Sequence, residues 1–323
     1  MNAIYTVCTY NHIGRALSLA DSVSTHCQDT KFIICLIDTV DSGLIPEGIE
    51  LITAQEMNLS FLNEMCSKYS PLELNSALKP YFGNYIFEKY KELDQLIFLD
   101  SDILLFDDLH PVYESLSSNS IVLSPHSLSS VPDGTDFDDR VFLRSGIYNA
   151  GFFGLKRDQN SKAFLDWWMG KLRNECFFDS KRGMFAEQLW LNLVPLYFES
   201  VDILKHVGCN VAYWNLHDRI LSKNDGVFYV NGSVPLIFFH YSGASISCIE
   251  ENRVSQHQQR YTFTNRPDLF EVFKLYTDSL NKHSYEKFNQ VYTLNSSFRT
   301  RSTLVKAVGE FYKKVIKKLF YIK

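Results

Sequence analysis

Short apolar runs alternate with amphipathic stretches along the first half of this chain, and that alternation limits the folds open to it. The predicted elements are strands at 4–8, 32–37, 95–99 and 151–155, helices at 14–24 and 74–91, and a polar loop at 127–144 able to order over a ligand. Strands separated by helices form doubly wound sheets. We therefore expect an α/β fold: a mostly parallel, twisted sheet flanked by helices, with a ligand site beyond the carboxyl ends of its strands.

The composition is that of a globular protein. Of the 323 residues, 46% are apolar and 21% are charged. The seven cysteines are scattered and form no C-x-x-C pair, which argues against a disulfide framework or a cysteine-rich zinc site. There is no signal-like N-terminal region and no run of about 18 apolar residues, so we expect a cytoplasmic protein. Outside residues 299–323, which hold eight basic residues and one acid, the chain is more acidic than its net charge of −5 indicates, and this argues against nucleic-acid binding.

An acidic pair, Asp100 and Asp102, follows the strongest predicted strand, with Ser101 between the two acids. Two carboxylates at the mouth of a buried strand are costly unless a cation or hydrogen bonds compensate them. Residues two apart on a strand point the same way, so both can serve one site. A hard divalent cation held by these carboxylates and by diphosphate oxygens fits this arrangement and would neutralise a diphosphate leaving group.

Two other interpretations of the acidic pair are open. The side chains can cap a following helix or tighten a loop. Phosphohydrolases with an aspartate nucleophile also use paired acids, in the pattern D-x-D-x-Thr near the first strand. Here Leu104 stands at the fifth position and the pair lies 100 residues along the chain, so we rank this chemistry below metal binding.

Three later segments carry side chains suited to a polar ligand and a metal ion. Asn149 offers both hydrogen-bond donors and acceptors, and Gly151 allows close backbone approach. His240 ends an apolar strand, where a histidine is either a ligand or a satisfied core residue. Glu187 and Gln188 can contact a ligand, or can be a helix N-terminal acid and a helix-surface amide. Mixed nitrogen and oxygen ligation favours Mn²⁺ over Mg²⁺ or Ca²⁺.

These residues carry a resemblance to a known family. The string 96–104, Leu-Ile-Phe-Leu-Asp-Ser-Asp-Ile-Leu, resembles the metal-binding D-x-D strand of GT-A glycosyltransferases. Three more segments resemble glycosyltransferase family 8, the group of glycogenin and bacterial lipopolysaccharide galactosyltransferases: 148–152 is similar to its aromatic-Asn-Ala-Gly segment, 187–192 to its Asp-Gln-x-x-Leu-Asn segment, and 238–243 to its His-x-x-Gly segment. Their order and spacing match over residues 1–250.

The resemblance implies a GT-A catalytic domain over residues 1–250. It implies metal-dependent transfer of a hexose or N-acetylhexosamine, with retention, from a UDP-sugar to a glycan, lipid-linked or protein acceptor. A non-catalytic nucleotide-sugar-binding or scaffold protein at the membrane surface is the alternative. The implied site has Mn²⁺ (or Mg²⁺) on Asp100, Asp102 and His240, donor contacts from Lys79, Ser101 and Gly243, and the sugar against Asn149, Glu187 and Gln188.

The end of the first predicted strand stands where related enzymes hold uracil. We expect Thr6 to lie at that position, Tyr10 to stack on the base and Asn11 to hydrogen-bond its edge. The alternative is an ordinary strand-to-helix turn with Asn11 as a cap.

Two departures from the family pattern stand out. Ile246 occupies the position of the lysine that usually follows the His-x-x-Gly segment, so a phosphate-binding cation must come from elsewhere. The candidates are Lys79, on the helix before the D-x-D strand, and Arg253; for Lys79 the alternative is a solvated helix charge. Glu187 is one methylene longer than the family's aspartate, which changes its distance to the anomeric carbon.

Residues 251–323 are predicted to form a helical extension. From residue 304 apolar residues recur at helical spacing with lysines on the remaining arc, and residues 299–323 hold eight basic residues against one acid. A basic amphipathic helix of this kind can lie in an anionic membrane interface. We expect peripheral binding to the inner face of a membrane; the alternative is a terminal helix packed on the domain or on a partner subunit.

Overall fold

The computed structural model describes residues 1–38, 48–132 and 138–290. The basic amphipathic helix predicted from residue 304 lies outside the described residues, so its contact with a membrane stays a prediction. Within the described ranges, no helix is both long enough and apolar enough to cross a membrane.

The strands of the described residues form one large sheet and three small ones. They are β1 (Asn2–Cys8), β2 (Thr30–Leu36), β3 (Glu50–Thr53), β4 (Gln95–Leu99), β5 (Ile103–Leu105), β6 (Ile121–Pro125), β7 (Tyr148–Lys156), β8 (Phe178–Asp179), β9 (Met184–Phe185), β10 (Val201–Ile203), β11 (Leu221–Asn224), β12 (Val227–Val230), β13 (Val234–Pro235) and β14 (Phe238–His240). The large sheet has the order β10-β6-β7-β4-β1-β2-β3. Its neighbouring strands are parallel except at β7, which runs antiparallel to β4 and β6. The predicted α/β fold is confirmed.

Helices connect these strands. They are α1 (Ile13–His26), α2 (Leu62–Lys68), α3 (Pro71–Lys89), α4 (His110–Ser118), α5 (Asp139–Ser145), α6 (Gln159–Leu172), α7 (Val194–Tyr197), α8 (Ile246–Glu250), α9 (Phe270–Lys282) and α10 (Tyr285–Gln290). The start of α3 follows directly from the sequence. Ser70 and Glu73 each accept a hydrogen bond from the other's backbone N–H, and Pro71 takes the first helical position.

The bounds of most predicted strands and helices agree with the observed ones to within one helical turn. The loop prediction for 127–144, however, is wrong in its second half. Residues from Asp139 onward form α5, which Asp138 caps by accepting a hydrogen bond from the Arg140 N–H. Phe142 is buried on the inner side of this helix. The acidic residues that favour a loop in the sequence therefore include the N-cap of a short helix.

The sheet brings several chain segments to one edge. Because β1 and β4 are parallel neighbours, with Tyr5 opposite Phe98, their carboxyl ends lie side by side. The short strand β5 pairs antiparallel with β14, which sets His240 opposite Ile103. The acidic pair between β4 and β5 therefore lies next to a histidine from a distant part of the chain.

Residues beyond 250 pack against this framework. Phe273 and Tyr276 of α9 are buried with Phe239 and Tyr241, and the rings of Tyr241 and Tyr276 stack with centroids 4.0 Å apart. The predicted helical character of the extension is observed in α9 and α10. The division of the chain into two domains at residue 250 stays a prediction.

Candidate active site

Two carboxylates and one imidazole meet at the edge of the large sheet. Asp100 lies directly after β4, where its backbone N–H donates to the Gly151 carbonyl oxygen at 2.8 Å. His240 Nε2 lies 3.1 Å from Asp102 Oδ1 and 3.9 Å from Asp100 Oδ2. One candidate ligand atom from each of these three residues lies within 4.8 Å of the others. The structure thus assembles the three predicted metal-binding residues in one place.

The donor set and its spacing fit a divalent cation. Ligands about 2.1 Å from one ion and at right angles to each other lie about 3 Å apart, which is close to the observed imidazole–carboxylate distance. Two carboxylates with one imidazole suit metals that accept both oxygen and nitrogen. Gly151 leaves the room this cluster needs, because a Cβ there would lie 2.4 Å from His240 Cε1 and 2.8 Å from Asp100 Oδ2.

The two carboxyl groups differ in their electrostatics. Burial acts to raise the pKa of Asp102, but the charge and hydrogen bond of His240, with the charge of Arg15, hold it well below its usual range. Burial raises the pKa of Asp100, and the nearby charges of Lys79 and His240 do not reverse that. Asp102 therefore keeps its negative charge to lower pH than Asp100 does.

Lys79 joins the candidate metal-binding cluster to Glu187. Its Nζ lies 2.9 Å from Asp100 Oδ1 and 2.7 Å from Glu187 Oε1, and it donates to the Ala150 carbonyl oxygen at 3.0 Å. The residue is 3% exposed, so its alternative interpretation as a solvated helix charge is wrong. An ammonium group has three N–H donors, and all three have acceptors here.

Gln188 holds its amide against β7. Gln188 Oε1 accepts from the Ala150 N–H at 3.1 Å and from Asn149 Nδ2 at 3.3 Å, and its Nε2 donates to the Ser145 carbonyl oxygen at 2.9 Å. The helix-surface interpretation of Gln188 is therefore wrong. These bonds fix the orientation of the amide.

Asn149 is held from several sides. Its Oδ1 accepts from the Gly151 N–H and from Asn210 Nδ2, each at 3.2 Å, and its Nδ2 lies 3.3 Å from His126 Nε2. His126 Nδ1 lies 3.2 Å from the Ile147 carbonyl oxygen, and burial lowers the pKa of His126 to about 4. A neutral imidazole that donates from Nδ1 and accepts at Nε2 satisfies both contacts.

Two adjoining cavities open over these residues. The first, the metal-side cavity, has a volume of about 530 Å³, and its lining includes Asp100, Asp102, His240, Ser101, Lys79, Asn149, Glu187, Gln188 and Gly243. The second, the aromatic cavity, has a volume of about 680 Å³, and its lining includes Phe142, Tyr213 and Trp214. Asn149, Gln188 and His257 line both. Volumes in this range suit small-molecule ligands.

Sequence comparison gives two relatives but no family. No family model matches the sequence. Two uncharacterised proteins of Bacillus subtilis (strain 168) are similar to it. YfnF is 26% identical over 283 residues, which cover 86% of this chain and 91% of YfnF. YfnD is 24% identical over 251 residues, which cover 75% of this chain and 77% of YfnD.

Among solved structures, the galactosyltransferase LgtC in complex with donor and acceptor sugar analogues matches with a TM-score of 0.53. The match covers 92% of this chain and 99% of LgtC at 15% identity. The fold is that of the GT-A glycosyltransferases. At this identity the likeness establishes the fold alone, and membership of family 8 stays a prediction.

Within this GT-A fold, the three residues predicted to contact uracil do not lie where that prediction requires. Thr6, Tyr10 and Asn11 are not among the described residues that line the metal-side cavity. The Tyr10 ring is 9% exposed and packs edge-on against Phe288, with centroids 5.6 Å apart. From this segment Val7, Cys8 and His12 line the cavity instead. The expectation that Tyr10 stacks on a base conflicts with the packing of its ring.

Neither Thr6 nor Asn11 lines the metal-side cavity or the aromatic cavity. The Thr6 side chain is fully buried, and Asn11 Oδ1 accepts a hydrogen bond from Thr9 Oγ1 at 2.5 Å. Arg253, the second candidate for a phosphate-binding cation, pairs with Glu251 and does not line either cavity. Its candidacy is therefore wrong, because the GT-A fold turns it away from the site.

Sequence reasoning missed Arg15, the third residue of α1. This side chain lines the metal-side cavity, with Nη1 3.6 Å from Asp102 Oδ2. Arg15 Nη2 donates to the Ala244 carbonyl oxygen at 2.9 Å and to the Tyr285 hydroxyl at 3.3 Å. A lone arginine in the apolar first turn of a predicted helix was the available signal. Nothing in the sequence links Tyr285 to the same site.

Proposed function

We propose that this protein transfers a hexose or N-acetylhexosamine from a UDP-sugar to a hydroxyl group of a glycan, lipid-linked or protein acceptor, in a metal-dependent reaction. The observation that carries the proposal is the cluster of Asp100, Asp102 and His240 in a cavity that also holds Asn149, Glu187 and Gln188. Pockets with a few convergent polar groups are the usual sites of small-molecule binding.

Asp100, Asp102 and His240 would hold the metal ion, with Mn²⁺ favoured and Mg²⁺ as the alternative. When bound, such an ion supplies positive charge to the diphosphate leaving group. The chain itself prepares the site: Lys79 offsets the charge of Asp100 in the absence of a ligand and fixes its position relative to Glu187.

The wall formed by Asn149, Glu187 and Gln188 would face the donor sugar. Because the amides of Asn149 and Gln188 are already hydrogen-bonded in place, they would present fixed groups to sugar hydroxyls, and such preorganisation lowers the cost of binding. Retention at the anomeric carbon is part of the proposal and rests on the family resemblance.

The aromatic cavity would take the acceptor. Phe142, Tyr213 and Trp214 provide apolar rings of the kind that pack against sugars, and the cavity meets the metal-side cavity at Asn149 and Gln188. An acceptor hydroxyl there would approach the donor sugar from the adjoining cavity. Peripheral binding to the cytoplasmic face of a membrane through residues 304–323 belongs to the same proposal and rests on their charge pattern.

Calorimetric titration of UDP with and without Mn²⁺ tests the proposal. We expect Mn²⁺ to strengthen UDP binding at least tenfold in the natural protein, and we expect Asp102→Asn to remove that gain. Asp166→Asn is the matched control, because Asp166 pairs only with Lys162 on the surface of α6 among the described residues. Binding that ignores Mn²⁺, or an Asp102→Asn variant that behaves like the control, would contradict the proposal.

Turnover separates the proposed transferase from the non-catalytic alternative. Metal-dependent release of UDP from one member of a UDP-sugar panel, lost in Asp100→Asn, supports the transferase and identifies the donor. Metal-dependent binding of UDP without turnover of any panel member supports the non-catalytic alternative.

A further inference from the structure

Under the proposed function, a diphosphate in the metal-side cavity needs a positive charge besides the metal ion. The family that the sequence resembles has a lysine for this purpose, and Ile246 stands at its position. Among the described residues that line this cavity, Lys79 and Arg15 carry permanent positive charges. His12 and His257 also line it. Burial, with the charge of Arg15, lowers the pKa of His12 to about 4, and burial lowers that of His257. The choice of cation is therefore between Lys79 and Arg15.

Lys79 is fully engaged. Its three donors point to the carboxylates of Asp100 and Glu187 and to the Ala150 carbonyl oxygen. Turning one of them to a phosphate oxygen would leave a buried carboxylate without its partner, and that loss is costly.

Arg15 has donor capacity to spare. Its Nη2 is used by Ala244 and Tyr285, whereas Nη1 lies 3.6 Å from Asp102 Oδ2, beyond the length of a good hydrogen bond. Its Nε is shielded from solvent and has no hydrogen-bond partner among the described residues, so Nη1 is the donor best placed for a ligand. The side chain is 12% exposed and lies over the Tyr285 ring, 5.2 Å from its centroid, so it is held in place at the cavity wall.

We propose that Arg15 binds the diphosphate of the nucleotide-sugar through its guanidinium fork, in the role of the missing lysine. This inference rests on the proposed function. Once Asp102 ligates a cation, Arg15 no longer serves as its counter-ion, and the free N–H groups can turn to phosphate oxygens. The planar fork of arginine matches the geometry of phosphate and gives charge-assisted hydrogen bonds.

The geometry predicts that loss of the Arg15 charge affects the binding of Mn²⁺ and of UDP differently. Because Arg15 pairs with Asp102 in the absence of ligand, removing its charge leaves Asp102 free for a cation. Mn²⁺ alone should then bind as tightly as before or more tightly. UDP in saturating Mn²⁺ should bind more weakly, since its phosphates lose a donor. If Arg15 had only a structural role, its loss would weaken the binding of both Mn²⁺ and UDP.

The test uses the full chain with Arg15→Gln, which removes the positive charge and keeps a polar side chain. Free Mn²⁺ is followed by electron paramagnetic resonance, and UDP and uridine are titrated calorimetrically in saturating Mn²⁺. We expect Arg15→Gln to weaken UDP binding about 10- to 100-fold and to leave uridine binding unchanged. Arg15→Lys should recover part of the loss, and Arg253→Gln, the surface control, should lose nothing.

The outcomes separate this inference from the proposed function. No metal-dependent UDP binding in the natural protein counts against the proposed function itself. Metal-dependent UDP binding that is unchanged in Arg15→Gln overturns the role of Arg15 alone, as does an equal loss of Mn²⁺, UDP and uridine binding. If Arg15→Gln fails to fold, Arg15→Lys decides: a loss confined to UDP supports the guanidinium fork, and an unchanged UDP affinity overturns it.

Discussion

Lys79 and Arg15 line the same cavity and face the two acids of the same motif, yet their surroundings differ. Lys79 contacts the carboxylates of Asp100 and Glu187 and is 3% exposed, so its charge is fully matched inside the protein. Among the described residues, Arg15 pairs with a single carboxylate, that of Asp102, at 3.6 Å. A matched buried charge holds a framework together, whereas a partly matched one remains available to a ligand. Under the proposed roles, the two tasks fall to two different cations.

The largest expected effect tests the structural half of this comparison. Lys79→Met keeps the volume but leaves Asp100 and Glu187 without their shared partner, and breaking a buried pair in this way costs about 3–5 kcal/mol of unfolding free energy. Urea unfolding measures the loss. Lys89→Met is the control on the same helix, since Lys89 pairs with Glu50 near the surface and should cost less than about 1 kcal/mol. Equal losses in the two variants would remove the distinction between Lys79 and an ordinary surface lysine.

A second prediction concerns Asp38, a buried carboxyl for which the described residues supply no basic partner. Burial raises its pKa from the usual 3.8 to about 6, although the Tyr10 N–H donates to both of its oxygens. A raised pKa in the folded state favours the protonated carboxyl. The contribution of Asp38 to the free energy of unfolding is therefore complete below about pH 3.8 and is lost as the pH rises through 6.

Asp38→Asn should therefore be more stable than the natural protein at pH 8, by at most about 3 kcal/mol, and the gap should close by pH 4. Urea unfolding at pH 4, 6 and 8 measures it. Asp278→Asn, a change at a surface residue that pairs with Lys274, should give a curve parallel to that of the natural protein. If the difference in stability between Asp38→Asn and the natural protein does not change with pH, the Asp38 carboxylate is compensated within the fold, as the charge of Lys79 is.

The smallest expected effect concerns the support of Arg15. Tyr285→Phe removes the hydroxyl that accepts from Arg15 Nη2 at 3.3 Å but keeps the ring beneath the guanidinium. We expect UDP affinity in saturating Mn²⁺ to fall about threefold, the size of one weak hydrogen bond. Tyr229→Phe, on β12, is the control. An effect as large as that of Arg15→Gln would mean that Tyr285, rather than Arg15, makes the main contact.

The sequence predicts the fold and the metal-binding cluster well, for physical reasons. A strand buried along its whole length, such as β4, needs a largely apolar run, and the acids that follow it lie at the edge of the sheet where ligands bind in such folds. The local strings around Asp100, Asn149 and His240 are recognisable without any knowledge of the pairing between β5 and β14.

The remaining features depend on packing that no local pattern encodes. Tyr10 looks like a base-stacking residue until its ring is seen against Phe288, which comes from the far end of the described chain. Arg253 and Arg15 look alike as isolated charges, and only the fold turns one outward and the other into the cavity. Glu187 and Lys79 are 108 positions apart, and their contact is equally invisible in the sequence.

The pairing of β5 with β14 also sets an order in time. A ribosome makes Arg15 and Lys79 first, then the acidic pair, and His240 much later. The imidazole joins the cluster only when β14 pairs with β5, a contact of long sequence separation that forms slowly. A nascent chain that has not yet reached residue 240 already has both carboxylates and both counter-ions, but it lacks the third ligand.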